Sequence, residues 1–223
     1  LPYESCNLGS VNLSRMLVKK DGSWVIDYNK LERTVKDAVH FLDNVIDMNR
    51  YPLPEIDQNT KANRKIGLGV MGFADLLIRL EAGYNTEKGI SIAEEVMSFI
   101  QKTADEASEE LGVSRGTFPN WEKSVYAKKG IRFRNATRTT IAPTGTISII
   151  SNASSGIEPL FALAYSRHVM DGTKLLEVNP LFREALDDRK LYSGELMSEV
   201  VSHGSIAHID SLPADMKEVF VTA

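Results

Sequence analysis

From Leu31 onward, the apolar positions Leu31, Val35, Ala38, Val39, Leu42, Val45 and Ile46 recur at helical spacing. They predict an amphipathic helix that closes before Pro52 and Pro54. A second stripe, Ile92, Val96, Ile100, Ala104, Ala107 and Leu111, predicts a long helix over 86–111 that ends at Gly112. Residues 60–80 follow a different rule. Ile66, Leu68, Val70, Met71, Phe73, Ala74, Leu76 and Leu77 leave little polar circumference, which predicts a buried helix. Gly67, Gly69 and Gly72 would each cost such a helix about 1 kcal/mol relative to Ala. Close backbone packing is one reason to keep them.

Shorter patterns fill the remainder. Alternation over 7–13 suits a strand or a loop leading into one, and Asp21-Gly22 marks a turn before an extended Trp24-Val25-Ile26. The basic, β-branched run 132–142 predicts a strand that ends in Thr139-Thr140-Ile141-Ala142. Asn179-Pro180 reads as the cap and first position of a helix over 181–188. Ser193-Gly194-Glu195 opens another helix, stopped near Gly204, and Pro213 signals a further start. No repeat, low-complexity tract or linker divides the chain, so residues 1–223 are expected to form a single α/β segment rich in helix.

Composition narrows the functions available. A hydrophobic fraction of 43% and a charged fraction of 25% are those of an ordinary globular protein. A net charge of −4 without a long basic run argues against a nucleic-acid grip, though not against small anions held locally. No apolar stretch approaches a membrane span, and no signal peptide is present, so a cytoplasmic location is the expectation. The single cysteine excludes an internal disulfide framework. With no initiator Met and a helix start close to its last residue, the sequence is expected to be a piece of a longer chain.

Candidate chemistry is sparse. Cys6 has two readings: a lone cysteine is commonly a small buried hydrophobe, or it is a redox thiol whose partner lies elsewhere. The neighbouring Glu4 would raise its pKa, which suits a hydrogen or electron donor better than a thiolate nucleophile. Ala142 to Ser148 combines Gly145 with the hydroxyls of Thr144, Thr146 and Ser148, donors that a phosphate could use. On spacing alone the signal is weak, and an ordinary turn is the favoured reading. The adjacent run from Ser151 to Pro159 is again rich in Ser, Asn and Gly, and could line a pocket with the first. His40, His168, His203 and His208 show no metal-ligand spacing and read as structural or solvated.

Three stretches taken together resemble one family. Glu4-Ser5-Cys6-Asn7-Leu8-Gly9-Ser10-Val11-Asn12-Leu13 is similar to the cysteine segment that follows the finger loop of ribonucleotide reductase large subunits. Arg64 to Asp75 resembles their glycine-bearing buried helix, and Ala142 to Ser148, continuing to Pro159, their substrate-diphosphate loop. The resemblance implies part of a ten-stranded α/β barrel. It also implies reduction of ribonucleoside diphosphates or triphosphates by thiyl-radical chemistry, with Cys6 as one of the redox pair and not the thiyl site. Pro143, Thr144, Gly145, Thr146 and Ile147 correspond to the positions that hold substrate phosphates. The radical cysteine, its Asn and Glu companions and the other redox cysteine are implied to lie upstream. Phe161-Ala162-Leu163-Ala164-Tyr165-Ser166-Arg167 and the Pro-Thr-Gly-Thr form of the loop are similar to the adenosylcobalamin-dependent class II.

Implied partners are therefore a thioredoxin-type or other dithiol reductant protein, the remainder of the catalytic subunit, and through unpaired strand edges a second copy. The 223 residues alone are expected to be inactive. Two other expectations stay open from the residues themselves. One is a non-catalytic scaffold domain derived from the same barrel, and the other is a phosphate-binding enzyme of a different kind.

Overall fold

The computed structural model describes residues 2–168 and 174–223. In chain order the elements are β1 (Asn7–Asn12), β2 (Leu17–Lys20), β3 (Ser23–Ile26), α1 (Tyr28–Met48), α2 (Pro54–Asn63), β4 (Ile66–Met71), α3 (Phe73–Arg79), α4 (Glu87–Arg115) and α5 (Val125–Lys129). They continue with α6 (Gly145–Ile150), β5 (Ala164–His168), β6 (Lys174–Val178), α7 (Pro180–Asp188), α8 (Gly194–His203) and α9 (Ala214–Val219).

The strand β4 organises the first half of the molecule. It pairs in parallel with β1, from Asn7 opposite Ile66 to Asn12 opposite Met71. Its other edge is taken by the segment 137–140: Leu68 N–H donates to Arg138 O at 2.8 Å, and Thr140 N–H to Leu68 O at 3.1 Å. All six β4 residues are buried. This corrects the expectation of a buried helix over 60–80. A short apolar run covered on both faces has no periodicity to separate strand from helix. The glycines decide it: at Gly69 a Cβ would stand 2.9 Å from Thr140 O. The chain there is helical only on either side, in α2 and α3. The strand expected over 132–142 is reduced to this short pairing, with a single parallel bridge between Leu68 and Thr139.

Helices α1 and α4 cover one face of the ladder. Leu31, Val35, Val39, Leu42 and Ile46 of α1 pack with Val11, Ile66, Leu68 and Val70, and with Val96, Ile100 and Ala104 of α4. A second core joins Phe182 and Leu186 of α7, Met197 and Val200 of α8, and Met216 and Phe220 at the chain end. The Arg79–Glu184 ion pair (2.6 Å) ties α3 to α7. The turn at Asp21-Gly22 closes β2 onto β3 with both residues at positive φ. The caps at Asn179 and Ser193 and the stop at Gly204 are where the sequence places them.

The long helix does not end at Gly112. It runs to Arg115 and stops at Gly116, whose φ is +88°. Gly112 has another task. The segment entering 132–135 crosses α4 so closely that a Cβ at Gly112 would lie 1.8 Å from Arg132 O, and Arg134 N–H donates to Ser108 O at 2.9 Å. Both colliding partners are backbone, so no rotamer change relieves the clash. Gly112→Ala is expected to destabilise the chain by about 2–3 kcal/mol, read as a lowered denaturation midpoint. An unchanged midpoint would contradict this crossing.

Candidate functional site

Alternation along β1 separates two chemistries. Asn7, Gly9 and Val11 face the helices: Asn7 Nδ2 donates to Leu42 O at 3.4 Å, and a Cβ at Gly9 would touch Leu42. Leu8 and Ser10 face the other way, beside Gly67, Gly69 and Thr140. Cys6 continues that alternation onto the helix-free face. This face is floored by glycine and small hydroxyl side chains, and Leu8 is 60% exposed on it.

Cys6 is exposed, so it does not fill the core. The reading of Cys6 as a small buried hydrophobe is therefore not met, and no described element covers this face. Its Sγ contacts Asn7 O at 3.8 Å. Partial burial raises the thiol pKa; the Lys65 charge opposes the rise, and Glu4 adds to it. The influence of Glu4 is moderated by its own partners, since it accepts from Lys65 Nζ at 2.8 Å and Asn63 Nδ2 at 2.7 Å. Burial would raise the Glu4 pKa, but those hydrogen bonds and the Lys65 charge together hold it below the ordinary value. The result is a thiol that remains protonated at neutral pH beside a carboxylate that remains charged.

The second candidate leaves the far end of the same ladder. After Thr140 the chain exposes Ile141 and Pro143, buries Thr144, and begins α6 at Gly145. The segment read as a loop through Ser148 is thus a loop only to Thr144. Thr144 adopts φ +56°, and no side chain caps α6. The first-turn N–H groups of Gly145, Thr146 and Ile147 have no acceptor within their own helix. Thr144 Oγ1 instead accepts from Gly156 N at 2.7 Å. Gly156 sits at φ +48°, where a Cβ would stand 2.8 Å from Ala142 O, so only glycine fits.

The two small-residue runs are therefore clasped together. Ser148 Oγ lies 3.0 Å from Ser155 Oγ, and Ser148 N–H donates to Thr144 O at 2.8 Å. A cleft of about 680 Å³ opens beside them, lined by Ser148, Ile149 and Asn152 to Ser155, with Asn179 to Leu181 opposite. Pro143, Thr144, Gly145, Thr146 and Ile147 do not line it. Cys6 precedes the first pair of β1, whereas 143–147 follow the last pairing of 137–140, so the two candidates share a ladder but sit at its opposite ends.

One participant is missed by sequence reasoning. Asp75, on α3, accepts from Ser154 N at 2.7 Å, and burial raises its pKa against the lowering effects of Ser154 and Arg79. In the sequence it closes the family-like stretch from Arg64 to Asp75, but as one polar residue within an apolar run it carries no sign of a distant partner. The histidines are elsewhere: His40 Nε2 lies 2.7 Å from an Arg115 nitrogen, and the His203 and His208 rings are 4.1 Å apart. The side chain of His168 lies outside the described residues. Among the described residues, no group of three or more His, Cys, Asp or Glu could hold a metal ion. None of the described helices is long and apolar enough to cross a membrane.

A parallel ladder with helices on one face and a cysteine on the other is a barrel-wall arrangement, and the family model of the ribonucleotide reductase barrel domain matches residues 1–223. The chain belongs to this family. A vitamin B12-dependent ribonucleoside-diphosphate reductase of Thermoplasma acidophilum is 53% identical over the whole chain, which spans 28% of that protein. A protein of the same name from Mycobacterium tuberculosis is 48% identical, again over the whole chain and 31% of the relative. The ribonucleotide reductase chain thus spans less than a third of these curated relatives. Among solved structures, the class Id ribonucleotide reductase alpha subunit of Actinobacillus ureae superposes with a TM-score of 0.76 over 97% of this chain and 38% of that one. At 23% identity, that likeness bears on the fold alone.

Proposed function

We propose that this ribonucleotide reductase segment forms part of the catalytic barrel of a subunit that reduces ribonucleoside diphosphates to deoxyribonucleotides. The observation that carries the reading is the helix-free face of the β1–β4 ladder. It combines the chain's only cysteine with a floor of Gly67 and Gly69 against which a ribose could lie. At the other end of the ladder, the first turn of α6 offers N–H donors for an anion. In this reading Pro143 to Ile147 hold the substrate phosphates and leave positioning to do most of the catalytic work.

Cys6 serves as one electron donor of a redox pair. Its partner and the thiyl-forming cysteine must come from outside these 223 residues, since the sequence holds one cysteine. A dithiol protein then restores the pair by thiol–disulfide exchange. Isolated, the 223 residues are inactive on this account. The chain is read as one segment of the barrel, working in the cytoplasm.

Adenosylcobalamin is the proposed cofactor of the parent subunit, because two relatives carry B12 dependence in their names. When bound, it would supply the radical. Two clefts, of about 680 and 760 Å³, are of the size that holds a drug-sized ligand. No residue of this chain is assigned as its contact, and no step is derived through it.

The test is reduction of nucleoside diphosphates by the full-length subunit with a dithiol reductant, with and without adenosylcobalamin. Turnover that depends on the cofactor is the expected result. No turnover in either condition would leave a scaffold domain as the better reading, and turnover without the cofactor would remove its assignment.

A further inference from the structure

Ser154, Ser155 and Gly156 are three consecutive residues, and each is bonded to a different place. Ser154 is held on both sides of its backbone: Gly72 N–H donates to Ser154 O at 2.7 Å, and Ser154 N–H donates to Asp75 Oδ2 at 2.7 Å. A longer contact, Asp75 N–H to Ser154 Oγ at 3.4 Å, closes the exchange. Ser155 Oγ meets Ser148 in the middle of α6, and Gly156 N–H meets Thr144 Oγ1 at its start. The exposed first turn of α6 is therefore located through this tripeptide, and the tripeptide is located by the β4–α3 turn.

Asp75 is the unusual member of this set. It stands in the first turn of a seven-residue helix, where a carboxylate normally serves the helix's own N–H groups. No side chain caps α3, and the Asp75 carboxylate is directed instead to a backbone N–H 79 residues away. It is buried, and a buried carboxylate persists where its hydrogen bonds offset the desolvation. A neutral side chain would satisfy α3 equally well; the bond across the sequence is what requires an acceptor at this position.

We propose that Asp75 is a positioning residue, which holds Ser154 so that the N–H groups at the start of α6 stand where the substrate's phosphates bind. This rests on the phosphate-holding role proposed above for 143–147. Asp75 touches no substrate; it acts through Ser154 and Gly156 on Thr144. It thereby fixes the anion-holding turn to the end of β4, the strand that also sets the register of β1.

The experiment uses the full-length subunit and compares a nucleoside diphosphate with its unphosphorylated nucleoside. Wild type is expected to favour the diphosphate. Asp75→Ala should raise KM for the diphosphate roughly tenfold, with kcat within about twofold and binding of the nucleoside unchanged, the effect of a misplaced binding group. Asp75→Asn, whose Oδ1 accepts the same N–H, should keep KM within about threefold of wild type. Hydrogen exchange at residues 145–148 and 154–156 should speed up in the Ala variant and not in the Asn variant. Should Asp75→Ala fail to fold, Asp75→Glu keeps the acceptor on a tether one methylene longer and should raise KM about threefold to fivefold. A wild type that binds nucleoside and diphosphate equally removes the phosphate reading and the proposal with it. A wild type that discriminates, with the discrimination intact in Asp75→Ala or in the Glu variant used in its place, overturns the role of Asp75 alone.

Discussion

Cys6→Ser in the full-length subunit is expected to abolish multiple turnover supported by a dithiol reductant, with the fold and substrate binding intact. A serine hydroxyl cannot give up its share of the two electrons that reduce the substrate and leave the pair as a disulfide, so reducing equivalents from the dithiol have no route through this position. Structural damage is not an alternative cause. Cys6 is exposed, and its sulfur meets Asn7 O at 3.8 Å and the side chain of Thr137, polar contacts that a serine can keep. Deoxynucleotide formed per subunit is the measurement. Product well beyond about one equivalent per subunit, with the dithiol as sole reductant, would remove the redox assignment. The raised thiol pKa fits a group that gives up hydrogen or electrons as a thiol and does not rest as a thiolate.

Asp43→Ala should cost stability and spare the chemistry, at about 3–5 kcal/mol, the usual loss when one partner of a buried ion pair is removed. Asp43 is fully buried on α1, and four side chains converge on it, the most exposed being Arg115, whose guanidinium lies 3.8 Å from Oδ2. Arg64 Nε donates to its Oδ1 at 2.9 Å, Asn135 Nδ2 to the same oxygen at 2.9 Å, and Arg134 Nε to Oδ2 at 3.3 Å. Arg64 is itself only 4% exposed, so losing Asp43 leaves a guanidinium in the core with Asp47 as its remaining carboxylate partner. Asp47 lies at the rim with its side chain 50% exposed, and Asp47→Ala should cost no more than about 1 kcal/mol. Chemical denaturation of the two variants side by side checks the contrast. Equal losses would mean that burial is not what makes Asp43 matter.

This network also shows where sequence reading stops. The stripes of α1 and α4 are legible because each helix buries one side only, and periodicity then reports the buried face directly. The β2–β3 turn and the caps at Asn179 and Ser193 are equally local, each set by residues within four positions. β4 is not local. Its apolar run is ambiguous by itself, and its strand state depends on β1 and on 137–140. Gly112 looks like a helix stop until the crossing of 132–134 supplies another reason for it. Asp43, Arg64 and Asn135 are unremarkable polar letters whose roles appear only when three distant segments meet. The site divides in the same way. Cys6 and 143–147 stand out through the motifs around them, whereas Asp75 carries no local sign of its role because its partner is 79 residues away.

The doubly paired β4 has a consequence for how the chain is made. Its two neighbours in the ladder come from far along the sequence: Asn7 opposite Ile66 spans 59 residues (66 − 7), and Leu68 opposite Thr139 spans 71 (139 − 68). Closing loops of that length comes before the contacts that reward it, so this topology folds slowly for its size. During synthesis, β4 emerges with one edge open and stays so until about residue 140 has left the ribosome. For that interval the most apolar strand of the first core is an adhesive edge, and the growing chain depends on prompt arrival of its own later segment to quench it.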